Sequence, residues 1–519
     1  MFLPSYAEKV GQRLTKTRSF CETVFSPSGG WDTRENIADM PEDRAVILDN
    51  WFPNSSKLTT RRGFTSFSTG MSGDVSSLMS YQPDSGTSRL FSAAQGKIYN
   101  VESGGAVGAA LGSGFASDKW QHVNMATAGG RFLMMCNGSD AAQVWDGAAL
   151  AATTLTGPDT TKLIWNNVHQ NRLWVGAVNS LSAWYGGVKS ITGAFSEFPL
   201  YGVASKGGYI MGMATWTRDS GDGQDDVAIF VTSEGEAIVY NGTDPSSSAT
   251  WSLVGVFQIG KPIGRRFFIK AGGDLVLITQ DGFVSAASML VTDRSQAEKV
   301  AISAQINRAV NDALRNSGSN FGWQPVIYPK GTMLLINVPL DNLTSHQYVF
   351  NTLTRAPSRF TGMNADCWAV FNDGLYFGGK DGKVYLADNG NNDNGTSISC
   401  DCLPAFSYFR RPNMVKSFKM GEAVFQSDNV VNPAFDLNTD FTVLSSTAIS
   451  SSVGGIGGTW DNTTWDTGVW GGDQDIYRAW KSINGFGRAA SLRTRIQNMG
   501  PQISLLAINY IFEPGGYLR

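Results

Sequence analysis

The chain has few charged residues, few histidines and no long apolar run, and each shortage argues against a class of protein. Charged residues make up 16% of the 519 residues, against about 25% in an average soluble protein. Lys and Arg together (41) do not exceed Asp and Glu (44), so the basic excess typical of a nucleic-acid-binding protein is missing. No apolar run approaches the length of about 18 residues that a membrane-spanning helix needs, so we expect no membrane span.

The first residues, MFLPSYAEKVGQRLTK, lack the uninterrupted apolar core of a signal peptide, so we expect no secretory leader. The chain has only five cysteines, and an odd number argues against a disulfide framework. We therefore expect folding in a reducing cytoplasm. Cys400 and Cys402 fall in an alternating run, SISCDCLPAF, that predicts a strand with both thiols on one face. A metal site would need further ligands, so packed thiols are favoured.

Histidine occurs three times, at His122, His169 and His346, and these positions are far apart in the sequence. The chain contains no G-x-S-x-G, P-loop, H-E-x-x-H or C-x-x-C motif. Paired carboxylates contributed by separate parts of the chain stay open as an alternative, but no pair stands out. We therefore predict no enzyme, with no catalytic residue, cofactor or metal.

Glycine (59 residues) and aromatic residues (11%) are plentiful, and they recur in a repeated unit. The unit is a turn, a short strand with a large apolar anchor, a second turn, and a strand that commonly ends in an aromatic residue. Its seven copies lie at 88–100, 130–147, 171–185, 227–242, 273–284, 331–351 and 373–385.

Successive anchors are 40 to 60 residues apart, which is typical of β-propeller blades. The anchors are Leu90, Leu133, Leu173, Ile229, Leu275, Leu335 and Leu375. Asp-Gly pairs at 281–282, 373–374 and 381–382 suit the tight hairpins of such blades. We predict an all-β fold with a β-propeller of about seven blades over residues 71–390. An array of sandwiches is the alternative.

The widest gap between anchors contains an amphipathic pattern that predicts a helix over about 293–318. Asp293 can cap its start and Gly318 can end it. The apolar stripe includes Ile302, Ile306, Val310 and Leu314. This helix either packs on the propeller or contacts a neighbouring subunit, and the sequence leaves both alternatives open.

An acidic segment, TRDSGDGQDD at 217–226, resembles a calcium loop in composition. It contains Asp219, Asp222, Asp225 and Asp226. The spacing does not match the EF-hand pattern and no glutamate closes the loop, so a solvated loop is favoured.

The polar cluster NGNNDNG at 389–395 predicts a domain boundary. Residues 391–519 alternate like sandwich strands, and we expect them to form a β-rich platform together with part of the N-terminal segment 1–70. Trp460, Trp465 and Trp470 recur at intervals of five. Such tryptophans form either a stacking surface for sugars or bases or, as we favour, a subunit interface.

Four N-terminal motifs carry a resemblance to a known family. They are SPSGGWDTR (26–34), ADMP (38–41), AVILDNWFP (45–53) and RRGF (61–64). A proline-glycine-aspartate opening, an Ala…Leu-x-Asn-x-Phe-Pro strand and an Arg-x-Gly close are typical of tail proteins of short-tailed bacteriophages. The chain resembles the tail nozzle family, also called tail tubular protein B, over most of its length.

The resemblance implies a structural virion protein of the phage tail, assembled in the host cytoplasm as a ring-shaped homo-oligomer, a hexamer. The ring would lie below the adaptor and portal proteins, meet tail fibre or needle proteins, and enclose the channel for DNA ejection. Double-stranded DNA would pass without specific binding, and the modest number of basic residues suits that role because each phosphate contact adds affinity.

A ring of identical subunits needs heterologous interfaces that close by rotation. The candidate interface residues are Ile302, Ile306, Val310 and Leu314 of the predicted helix and Trp460, Trp465 and Trp470. Two other functions stay open: a receptor- or carbohydrate-binding propeller of the tail, and a head-completion plug that retains packaged DNA.

Overall fold

A computed structural model describes residues 19–33, 36–219, 224–289, 301–445, 452–453 and 475–515. Nearly all of its regular structure is β, as the alternating patterns predict. Radial sheets form a β-propeller, and two further sheets, built from both ends of the chain, form a flanking domain that we call the platform. The prediction of an all-β propeller with a sandwich-like platform is confirmed.

Each of the seven sequence repeats coincides with two neighbouring strands of one radial sheet. All seven apolar anchors are buried, with at most 2% of any of them exposed. Packing on both faces of a blade leaves little room for charged side chains, which accounts for the low charge of the chain.

Blades one to four follow one another along the chain, and each is a four-stranded antiparallel sheet. The first strand of a blade lies innermost. Their strands are, for blade one, Ser77–Tyr81, Arg89–Ala94, Lys97–Asn100 and Gly112–Ser113; for blade two, Gln121–Thr127, Gly130–Cys136, Gln143–Trp145 and Leu150–Ala152; for blade three, Leu163–His169, Arg172–Ala177, Ser182–Val188 and Ser196–Pro199; and for blade four, Ile210–Asp219, Gln224–Thr232, Glu236–Gly242 and Trp251–Gln258.

Blades five and six complete the propeller, and blade six takes its outer strand from the N-terminal part of the chain. This pairing of distant segments closes the ring. The strands of blade five are Gln324–Tyr328, Met333–Pro339, Ser345–Asn351 and Pro357–Thr361, and those of blade six are Ala365–Phe371, Gly374–Gly379, Val384–Ala387 and Phe64–Thr69. Short accessory strands are Gly105–Ala106, Leu155–Thr156 and Gly193–Ala194.

Amide side chains on the inner strands join neighbouring blades. Asn124 Nδ2 of blade two donates to the Ser80 carbonyl of blade one (2.8 Å). Asn167 Nδ2 of blade three donates to the Met213 carbonyl of blade four (2.7 Å). These bonds satisfy polar groups that packing of the blades removes from water.

In the described part of the chain, a radial sheet between blades four and five has three strands. Segment 301–303 covers its outer edge: the Ile302 N–H donates to the Phe283 carbonyl (2.8 Å), and Ser303 Oγ accepts from the Phe283 N–H (3.0 Å). Covering an unpaired edge protects it from non-native pairing. The strands are Phe268–Ala271, Asp274–Thr279 and Gly282–Ser285, followed by the short helix Ala286–Met289.

The described residues therefore contain six complete blades, one fewer than predicted. The fifth repeat, at 273–284, forms two strands of the three-stranded sheet. The number of regularly spaced hairpins in a sequence predicts the number of radial sheets. It does not predict whether each sheet has a fourth strand.

The predicted helix is shorter in the described residues. It runs over Asn307–Ser317, after a 3-10 turn at Ala304–Ile306. Gly318 ends it as predicted, and the Gly318 N–H donates to the Leu314 carbonyl (3.0 Å). Residues 301–303 are not helical because they hold the edge of the three-stranded sheet, and the predicted start at Asp293 lies outside the described residues.

The platform packs two sheets against each other. One sheet comprises Phe20–Phe25, Trp51–Pro53, Leu58–Thr60, Lys416–Ser427, Asp475–Gly487 and Ile503–Pro514. The other comprises Gly30–Trp31, Arg44–Asp49, Ile398–Pro404, Ala434–Thr439 and Ala490–Asn498, and it continues into blade five. The remaining elements are the strands Val431–Asn432 and Ser452–Val453 and the 3-10 turns Ile37–Asp39 and Thr160–Lys162.

The interior of the platform joins that of the propeller without a break. Leu492, Tyr510 and Phe512 of the platform belong to one buried apolar cluster with Phe283 and Tyr348 of the propeller side. The two domains therefore share a core, and the contacts between them determine how the propeller is held.

Candidate functional site

Arg61 lies at the centre of the joint between propeller and platform. Its side chain is 1% exposed, and its guanidinium donates to Asp393 through Nη1–Oδ1 (2.8 Å) and Nη2–Oδ2 (2.5 Å). Nη2 also donates to the Thr361 carbonyl (2.8 Å), and Nε donates to Asn50 Oδ1 (2.7 Å). One planar guanidinium thus joins the N-terminal strands, blade five and the segment that follows blade six.

Asn50 completes this network. Its Nδ2 donates to Thr361 Oγ1 (2.8 Å) and to the Ser399 carbonyl (2.7 Å), while its Oδ1 accepts from the Thr361 N–H (2.8 Å). The backbone of Asn50 has a φ of 61°, a left-handed conformation that asparagine tolerates better than most residues. The conformation and the side-chain bonds both suit asparagine at this position.

A second ion pair lies beside the first. Arg359 of blade five donates to Asp49 of the platform through Nε (2.7 Å) and Nη2 (2.6 Å). The Arg359 guanidinium also lies 5.3 Å from the centre of the Trp31 ring. The two bidentate pairs are linked, because Asn50, which accepts a hydrogen bond from Arg61, directly follows Asp49 in the sequence.

Two glycines of the N-terminal motifs allow the backbones at the joint to approach closely. A Cβ on Gly63 would lie 1.8 Å from the Asn392 carbonyl oxygen, and a Cβ on Gly30 would lie 2.5 Å from that of Pro357. Gly30 also has a φ of 86°, which favours glycine. The N-terminal motifs thus build an architectural joint between the two domains.

A pair of arginines lies across one end of the propeller axis. Arg266, which follows blade four in the sequence, donates through Nη2 to the Ser76 carbonyl (3.0 Å), Ser77 Oγ (2.7 Å) and the Trp120 carbonyl (3.0 Å). These acceptors precede or begin the inner strands of blades one and two. The arginine therefore reaches across the ring.

Arg265 makes a second set of hydrogen bonds across the ring. Its Nη1 donates to the Asn137 carbonyl (3.1 Å), and its own carbonyl accepts from Gln121 Nε2 (3.2 Å). No motif or repeat in the sequence predicts a role for this pair. The available signal was a pair of adjacent arginines shortly before the strand Phe268–Ala271, in a chain with little charge.

The predicted interface residues of the helix serve packing within the chain. Ile306 and Val310 have no exposed surface, and Ile302 and Leu314 are partly buried against the same core. The Tyr348 hydroxyl donates to the Ala309 carbonyl and holds the helix on the propeller (3.1 Å). The expectation that Ile306 and Val310 meet a neighbouring subunit is therefore corrected, because neither side chain is accessible.

Trp460, Trp465 and Trp470 lie outside the described residues, so their role stays a prediction. Of the acidic segment, Asp222 also lies outside the described residues, and the side chains of Asp219 and Asp225 are not described. Asp226 accepts a hydrogen bond from Thr217 Oγ1 (2.7 Å).

Burial keeps all three histidines uncharged at neutral pH. It lowers the pKa of His169 to about 4, that of His346 to about 3, and that of His122 to about 4, where the positive charge of Arg266 adds to the effect. His169 Nδ1 lies 3.2 Å from Thr215 Oγ1 on blade four. These histidines are separate packing residues of the propeller.

The fold is expected to lose stability as pH falls from about 7 towards 4. Unfolded histidines titrate near pH 6.5, whereas folded His169 and His346 take up a proton only near pH 4 or below. The unfolded chain therefore binds more protons in this window and is favoured by acid. Urea unfolding at a series of pH values measures the slope. In His169→Asn the slope should be smaller, and an unchanged slope would contradict the assignment.

The cysteines are unpaired, and four of the five are buried. Cys400 and Cys402 point into the core from one face of Ile398–Pro404, as the alternating pattern predicts. Burial raises the pKa of the Cys400 thiol to about 12. Such a thiol is unreactive at neutral pH.

Within the described ranges, no helix has the length and apolar character to cross a membrane. In the same part of the chain, no three His, Cys, Asp or Glu side chains are grouped as a metal site would require.

Comparison with known proteins gives no family. No family model matches the chain, and no curated protein matches it. Among solved structures, a crystal structure of BBS1N in complex with ARL6DN is 10% identical, with a TM-score of 0.41; the match covers 63% of this chain and 98% of that chain. The extracellular domain of the two component system BT4673 from B. thetaiotaomicron is 12% identical, with a TM-score of 0.40, and the match covers 63% of this chain and 39% of that chain.

Proposed function

We propose that this chain is a structural protein of the virion, the tail nozzle of a short-tailed phage. The observation that carries the proposal is the position of the motifs on which the resemblance rests. Asn50, Arg61 and Gly63 all belong to those motifs, and all three lie in the joint that fixes the propeller to the platform. The residues that resemble the family are thus used for architecture.

The DNA channel would lie between the copies of a ring. Arg265 and Arg266 cross one end of the propeller axis, and the inner strands of neighbouring blades touch. A duplex could not pass through a single propeller built this way. A hexameric ring would provide the conduit at its own symmetry axis.

The charge of the chain supports the proposal that DNA passes through the ring without being bound tightly. A net charge of −3 with 41 basic residues limits the number of phosphate contacts that each copy can make, and each such contact adds salt-dependent affinity. In this proposal the adaptor and portal proteins lie above the ring, fibres or a needle attach to it, and no chemical step is catalysed. The ring is assembled in the host cytoplasm and remains in the virion tail.

The assembly state of the full-length chain tests the proposal. Mass photometry and electron-microscopic class averages of the purified protein should show closed rings of six copies around a central opening wide enough for a DNA duplex. The rings should bind DNA weakly, with little sequence preference and a small dependence on salt.

Particles that remain monomeric or trimeric at all accessible concentrations, and that bind oligosaccharides on a glycan array, would overturn this proposal in favour of a receptor-binding propeller. A ring whose opening is blocked by its own chain would instead favour a head-completion plug. A chain that cleaves glycans in a turnover assay would contradict the structural role.

A further inference from the structure

A cavity of about 310 Å³ opens at the joint, between blade five, blade six and the platform. Its volume falls within the range of small-molecule sites in proteins. The architectural role proposed above requires no such cavity. The chemistry of its lining therefore needs an explanation of its own.

One wall of the cavity is apolar. Phe52 of the platform and Phe360 of blade five meet edge to face, with ring centres 6.4 Å apart. Met333 and Leu335 of blade five extend the same wall, and both are buried. A ligand would therefore contact both domains through apolar surface.

The rim of the cavity carries two cationic side chains, Arg62 and Lys330, and both residues are exposed. Within the described part of the chain, neither forms a salt bridge. One acidic group, Asp388, shares the rim; burial raises the pKa of its carboxyl, while the charges of Arg62 and Lys330 oppose that rise. The rim keeps an excess of positive charge at neutral pH.

Arg61 also lines the cavity, but its charge is balanced by the Asp393 carboxylate. Both of its Nη atoms donate to Asp393. Any anion at this site would therefore be held by Arg62 and Lys330, the two cations whose charges stay available at the rim.

We propose that the cavity binds a small amphipathic anion, a carboxylate with a medium-length aliphatic chain. The chain would lie against Phe52, Phe360 and Leu335, and the carboxylate would lie at the rim between Arg62 and Lys330. Such a ligand touches the propeller and the platform together, and it stabilises the joint because it binds only the folded state. This inference is independent of the nozzle proposal.

Titration calorimetry on the full-length chain tests the proposal with four probes: octanoate, acetate, octanol and octylamine. Octanoate should bind most tightly. Acetate should bind far more weakly, because each CH₂ buried contributes a factor of about four in affinity. Octanol lacks the charge and octylamine reverses it, so both should bind at least about tenfold more weakly than octanoate.

Charge variants test whether Arg62 and Lys330 hold the carboxylate at the rim. Arg62→Gln and Lys330→Gln should each weaken octanoate binding by about three- to tenfold, as expected for one partly screened charge near the surface. Asp388→Asn should strengthen it, because the opposing charge is removed. Lys97→Gln is the matched control: it removes one exposed cation from blade one, and the affinity should not change.

Equal binding of octanoate, octanol and octylamine would overturn the proposal, as would unchanged affinity in both rim variants. An absence of octanoate binding at millimolar concentration would do the same. Circular dichroism verifies that the variants fold. Ring assembly is read by particle mass, so a failure here leaves the nozzle proposal to be judged by its own test.

Discussion

Arg61→Leu should destabilise the chain by about 3–5 kcal/mol, the usual effect of breaking a buried ion pair by removing one partner. The leucine leaves the Asp393 carboxylate, whose side chain is only 13% exposed, without its charge partner. It also removes the hydrogen bonds to the Thr361 carbonyl and to Asn50 Oδ1. Because these groups belong to both domains, the propeller and the platform should begin to unfold separately.

Urea unfolding, followed by tryptophan fluorescence and circular dichroism, measures both effects. Arg61→Lys should recover part of the stability, since a lysine keeps the charge but loses the bidentate geometry. Arg131→Ala is the matched control, because Arg131 pairs with Asp84 at an exposed site where such pairs contribute at most about 1 kcal/mol. If the Arg61 and Arg131 variants lose similar stability, the joint does not depend on Arg61.

Trp174→Ala is expected to cost about 3–5 kcal/mol, the range for deleting a large buried aromatic side chain. Trp174 has no exposed surface and lies between blades three and four, with its ring centre 5.7 Å from that of Trp251 and 5.5 Å from that of Phe230. Removing the indole leaves a cavity between two blades that the surrounding β-sheets cannot easily close. The midpoint of urea unfolding should fall accordingly.

Trp174→Phe should lose much less stability than Trp174→Ala. The indole Nε1 of Trp174 has no hydrogen-bond partner in the described part of the structure, so the substitution removes no such bond. Tyr201→Ala removes an aromatic ring that is 70% exposed, and the effect should stay within about 0.5 kcal/mol. Equal losses in Trp174→Ala and Tyr201→Ala would contradict the packing described for these blades.

The propeller was predictable because its sequence signal is local. Each repeat is a hairpin whose two strands pair across a turn of a few residues, and an apolar anchor such as Leu173 or Leu275 marks one of those strands. Turn residues such as those at 373–374 mark the hairpins further. The number of complete blades was not predictable, since the outer edge of the three-stranded sheet is covered by Ile302 and Ser303, which lie in an irregular segment.

The role of the helix shows where periodicity stops being informative. The spacing of Ile306 and Val310 established that one face of the helix is apolar, and it could not distinguish the core of the same chain from the surface of another. A contact with the N-terminal segment helps to place the helix within its own chain. Gln305 Nε2 donates to the Gly29 carbonyl (2.8 Å) and binds the start of the helix to the platform side. That contact joins residues far apart in the sequence.

The sequence by itself determined the β class, the repeated hairpins, the domain at the two ends of the chain and the buried thiols of Cys400 and Cys402. Each follows from patterns within a few residues, where side-chain alternation and turn chemistry act directly. Only the tertiary structure decided that Arg61 pairs with Asp393, that Arg266 crosses the propeller axis, and that two exposed cations lie beside a cavity with one apolar wall. Those features depend on the closure of the ring, which brings residues hundreds of positions apart within hydrogen-bonding distance.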